Sequence, residues 1–205
     1  MEAAPALPLS RERFAASGRR LEAFTVGWNL VEAVVGIGSG AAAGSVALVG
    51  FGVDSVIESF SGAVLWWRLR AEDHHEERER RAARWVGVSF FLLAAYVLWE
   101  SAAALARRAA PETSPTGIAL AAVSLVVMPL LARAKRRVAA KIGSRALVAD
   151  SRQTDLCAYL SAILLGGLGL NALFGWWWAD PVAALAMTPL IALEGRKAWR
   201  QKHCC

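Results

Sequence analysis

The chain has 205 residues, 56% of them hydrophobic, with a net charge of +6 and a mean hydropathy of +0.39. Several apolar runs of about 20 residues exclude an ordinary soluble domain and mark an integral membrane protein. The basic residues sit almost entirely between those runs, where they carry topology information, which argues against nucleic acid as a partner.

Residues 1–20 are polar and contain proline, and read as a short cytoplasmic N-terminal segment with an amphipathic turn or two and no cleaved signal peptide. The first span is expected over 21–38, followed by a tight Gly-rich hairpin at 37–44. The second, 45–68, ends in Trp66 and Trp67, which suit a membrane interface, and Arg68 and Arg70, which suit the cytoplasm. A charged connector at 71–84 places Glu76/Arg80 and Glu77/Arg81 at helical ion-pair spacing. The third span covers 85–105. After the loop 107–117, Ser114 and Pro115 read as the N-cap and first turn of a fourth span at 117–132. Pro129 predicts a kink or an early end to that helix. A basic connector at 133–145, a fifth span at 146–170, a sixth at 177–193 and a basic tail complete the chain.

These elements give an all-α bundle of six transmembrane helices, with one transmembrane domain over 21–200 and a cytoplasmic tail at 201–205. Four Arg in the N-terminal segment, six Lys or Arg between spans 4 and 5, and four in the tail contrast with only Arg107 and Arg108 on the opposite side. Both termini are therefore expected in the cytoplasm.

Two acids interrupt the second apolar run near its middle. Asp54 and Glu58 are four residues apart and share one helical face. A lone carboxylate at bilayer depth costs several kcal/mol unless it has a partner, a proton or a cation. In span 5, Asp150, Gln153 and Cys157 share a face, with Thr154 at its border and Arg152 and Asp155 pointing elsewhere. Span 1 adds Asn29 and Glu32, and span 3 adds Glu100 nearer the external end. Spans 1, 2 and 5 can thus present oxygen or sulfur ligands to one interior point. Oxygen ligands suit hard ions such as Mg²⁺ and Mn²⁺, and a thiolate shifts the preference toward Zn²⁺ or Cd²⁺. Glu32 reads as a ligand, a proton carrier or a partner of Arg152. Gln153 and Cys157 read equally as ligands or as packing residues.

The stretches GSVALVGFGVDSVIES and ALVADSRQTDLCAYLSAILLGGLGLNALFGWWWADPVAAL resemble the membrane domain of the cation diffusion facilitators. The resemblance spans nearly the whole chain. It implies a six-span exporter of zinc or a related divalent metal, working by proton exchange in a plasma (inner) membrane, with a site built from helices 2 and 5. Matched by motif, the helix-2 pair falls on Asp54 and Glu58, and the helix-5 pattern on Asp150, Gln153 and Cys157. Gln153 stands where the family usually has His or Asp, and Cys157 where it has Asp; Asp155 is a nearby acid in reserve. The sequence given ends just after span 6, without the cytoplasmic domain many members use to dimerise, and a homodimer stays open. The implied partners are a divalent cation, the proton and the lipid bilayer. No covalent chemistry is implied, so the expectation is a transporter and not an enzyme.

Two other classes remain open from the residues alone: a membrane protein that senses or buffers metal without moving it, and a structural bundle whose acids tie helices together. His74 and His75 read as a solvated face or a metal-collecting loop. His203, Cys204 and Cys205 read as an unstructured end or a soft-metal grip.

Overall fold

A computed structural model of the chain describes residues 8–68, 76–108, 111–143 and 145–199. These residues form six helices and no strand: α1 Pro8–Ala43, α2 Val46–Arg68, α3 Glu76–Arg107, α4 Pro115–Ile142, α5 Arg145–Phe174 and α6 Ala179–Trp199. Among the described residues, four stretches are long and apolar enough to cross a membrane: Arg13–Ala43, Phe90–Arg107, Pro115–Ile142 and Asp150–Phe174. Large apolar side chains such as Val34, Trp99, Tyr159 and Leu173 project from the outside of the bundle, as a lipid-facing surface requires. His74, His75, His203, Cys204 and Cys205 lie outside the described residues, as do the side chains of the expected pairs Glu76/Arg80 and Glu77/Arg81.

Three pairings organise the bundle: α1 packs mainly on α2, α4 on α5, and α3 on α6, with α2 also meeting α5. Glycine sets how closely the first pair approaches. A Cβ at Gly52 would fall 2.7 Å from the backbone nitrogen of Ile37, and one at Gly40 would fall 2.8 Å from that of Val49. Contact at backbone distance is what small residues give helices in a membrane, where apolar burial alone does not drive them together. It also brings the polar face of α1 against that of α2.

Helix ends differ from the sequence expectation in three places. The Gly-rich hairpin is shorter, because α1 continues through its small residues to Ala43 and the chain turns only at Gly44, whose φ is +68°. The charged connector after α2 is helical from Glu76 onward. Pro129 does not end α4, which runs on to Ile142 and stops at Gly143, in the left-handed region with its N–H on the Ala139 carbonyl. In a bundle, neighbouring helices and local adjustment tolerate an interior proline that would break a solvated helix. That extension moves Lys135 from an expected loop into the helix, where it is fully buried. The start of α4 matches expectation: Ser114 accepts the Gly117 N–H at 3.1 Å and Pro115 follows.

Candidate cation site

The N-terminus of α2, which fixes the depth of the acids below it, is held from two directions. Ser45 Oγ accepts the Leu48 N–H at 3.1 Å, an N-cap within the chain itself. Asp180, in the first turn of α6, accepts the Ser45 hydroxyl and the Val46 N–H, the latter at 3.0 Å, and lies 3.4 Å from the Ala47 nitrogen. A carboxylate there satisfies orphan donors and complements the positive end of the helix dipole. Sequence reading assigned Asp180 no role. Its signal was an acid beside Pro181 at a helix start, which reads as a cap for its own helix and not for a neighbour.

Two turns further on, Asp54 and Glu58 point into the bundle, 6% and 3% exposed. Cys157 of α5 faces them, and one ligand atom from each of the three side chains lies within 4.8 Å of the others. Glu58 Oε1 is buried with no hydrogen-bond partner. Gln153 borders the same crevice with Asp54 and Cys157, one turn from the cysteine.

Glu32 of α1 adjoins this group. It accepts from Trp28 Nε1 at 2.7 Å, from Ser55 Oγ at 3.0 Å and from the Ser124 hydroxyl, and Cys157 Sγ lies 4.0 Å from its Oε2. Three elements thus satisfy Glu32, while Arg152, its other expected partner, is exposed. Asn29, one turn before it, is fully buried with both amide atoms unpaired. Asp150 and Asp155 go elsewhere. Asp150 pairs with Lys135, and Asp155 pairs with Arg136 in a partly exposed contact. A shared helical face fixes direction but not depth: the seven residues from Asp150 to Cys157 separate them by about 10 Å along α5 at 1.5 Å per residue.

Residues 24–201 match the family model of the cation efflux transmembrane domain. The chain belongs to the cation efflux family. The match begins within α1 and takes in α2 to α6. No curated protein matches the chain. This cation efflux protein is therefore an integral membrane transporter of cations, and its buried acids are to be read against that activity.

Proposed function

We propose that the protein exports a divalent cation of the zinc class from the cytoplasm in exchange for protons, holding it between Asp54 and Glu58 of α2 and Cys157 of α5. The observation that carries this reading is the convergence of two carboxylates and a thiol within 4.8 Å, in a buried place where one Glu58 oxygen has no partner. Ligands bound at 2.0–2.3 Å to a tetrahedral ion lie about 3.3–3.7 Å apart, so these side chains would close by no more than about 1.5 Å. Two hard oxygens and one soft sulfur favour Zn²⁺ and Cd²⁺ over Mg²⁺ and Mn²⁺. Gln153, beside the crevice, is in reach to serve as a neutral fourth ligand; Glu32 serves by fixing Cys157 and the α1 face.

Ligand groups must lose their protons to hold metal, so metal and proton compete for the same atoms, which is the basis of exchange. Rocking of the bundle about that site would expose it to each side in turn. The six-span arrangement is supported by the lengths of α2 and α6, which at 23 and 21 residues reach about 30–35 Å as helices. The excess of Lys and Arg on one side supports cytoplasmic termini. Residues 21–200 are on this reading one transport domain in a plasma membrane.

Metal flux into sealed proteoliposomes under a pH gradient, across Zn²⁺, Cd²⁺ and Mn²⁺, tests the whole. Uphill Zn²⁺ or Cd²⁺ movement driven by protons is expected, whereas binding without flux would mark a sensor or buffer. The role of Cys157 has its own signature. Cys157→Ala is expected to weaken Cd²⁺ binding about tenfold or more while leaving Mn²⁺ nearly unchanged, because only the soft ion loses a preferred ligand. Equal effects on the two ions would return Cys157 to packing. For the topology, Arg137→Cys should be protected from an external, membrane-impermeant thiol reagent and Thr113→Cys and Phe174→Cys should react. External labelling at position 137 would overturn the six-span, both-ends-in arrangement.

A further inference from the structure

A second group of ionisable side chains is buried among α1, α4 and α5, separate from Asp54, Glu58 and Cys157. Lys135 has no exposed surface, and its ammonium donates to Asp150 Oδ2 at 2.5 Å, to Glu22 Oε2 at 3.3 Å and to Thr154 Oγ1 at 3.3 Å. Glu22 is fully buried too, and its other oxygen, Oε1, has no hydrogen-bond partner. Two carboxyl groups share a single ammonium here. A carboxyl oxygen left unpaired in a buried place is costly, and the ammonium does not meet this one. The same acceptors, two carboxylates and a hydroxyl, make an all-oxygen donor set for a hard divalent cation.

Its place in the bundle matters as much as its chemistry. Asp150 lies near the start of α5 and Lys135 near the end of α4, so the group sits toward the turn at Gly143. That is the side the charge bias assigns to the cytoplasm, about 10 Å along α5 from Cys157. Glu22 falls just before the segment matched by the family model.

We propose that Glu22, Asp150 and Thr154 form a second cation site on the cytoplasmic side of the central one, in which the Lys135 ammonium is the resident cation and exchanges with the transported divalent ion. This rests on the central cluster being the transport site. A lysine suits the role because it is a point charge on a flexible stem and can withdraw; an arginine would grip both carboxylates in a fixed fork. With oxygen ligands alone, the inner site admits divalent ions by charge, and the central thiol then discriminates among them.

Calorimetric titration of the purified full chain with Mn²⁺ tests this. The wild-type protein is expected to take up one ion per chain, Lys135→Met two, and Lys135→Met/Asp150→Asn one again. A folded Lys135→Met protein that still binds one ion overturns the proposal. Because Lys135→Met leaves buried carboxylates unpaired and risks misfolding, Lys135→Arg supplies a fold-preserving arm. It should lower the maximal flux about tenfold with the metal affinity of the central site unchanged, and wild-type flux in that variant would equally overturn the proposal. The two readings fail separately. A wild-type protein that binds no metal, beside a Lys135→Met protein that binds one ion, would remove the central site and leave the inner one standing.

Discussion

Cation flux is expected to fall to the level of empty vesicles when Asp54→Asn and Glu58→Gln are combined, while the protein still inserts and folds. The substitutions keep the shape and hydrogen-bonding capacity of the side chains and remove only the charge that would hold a divalent ion. Insertion should not suffer, since taking an acid out of mid-membrane eases it by about 2.5–3.5 kcal/mol per residue on insertion scales. Packing should not suffer either: both side chains are buried, and Glu58 Oε1 has no partner to lose. If the two acids only tied helices together, amides would bridge about as well and flux would survive. Flux through the wild-type protein should also slow when the proton gradient is reversed, because the same ligand atoms must take up protons as they give up metal.

A second large effect is expected at a residue remote from the metal chemistry. Asp180→Ala should destabilise the protein by about 2–4 kcal/mol, because it leaves the Ser45 hydroxyl and the buried N–H groups of Val46 and Ala47 without their acceptor. Asp180→Asn retains one of the two accepting oxygens and loses the other together with the charge facing the α2 dipole, so it should cost less, about 1–2 kcal/mol. The expected order of thermal stability in detergent is wild type, Asp180→Asn, then Asp180→Ala. Equal melting of all three would mean that α6 does not hold the start of α2. The same substitution should lower flux, since α2 carries Asp54 and Glu58 at a depth that its first turn sets.

Period and composition made much of this legible in the sequence. The apolar runs gave helices, the four-residue spacing put Asp54 and Glu58 on one face, and Ser114–Pro115 announced the start of α4. What stayed hidden required depth or a partner distant in sequence. Asp150 shares a face with Gln153 and Cys157 but lies two turns away along the axis, so the helical pattern alone could not separate it from Cys157. Lys135 looked like connector charge because Pro129 suggested that α4 had ended; once the helix continues, its spacing turns it inward to Glu22 and Asp150. Asp155 could be placed only with Arg136 in view, 19 residues back in the neighbouring helix. Asp180 caps a helix 134 residues earlier, a contact no local pattern encodes. Nor does the sequence say which glycines sit at close helix contacts: Gly52 meets Ile37 and Gly167 meets Ala183, whereas Gly166 faces open space.

The central claim is that the transported ion is held between α2 and α5. Anomalous X-ray diffraction from crystals of the protein grown with Cd²⁺ tests it most directly, because the ion is located without reference to any side chain. The expected result is a strong anomalous peak within bonding distance of Asp54, Glu58 and the Cys157 sulfur, and its loss from the Asp54→Asn/Glu58→Gln protein. Cadmium bound elsewhere in the bundle, with those three side chains free of it, would contradict the account.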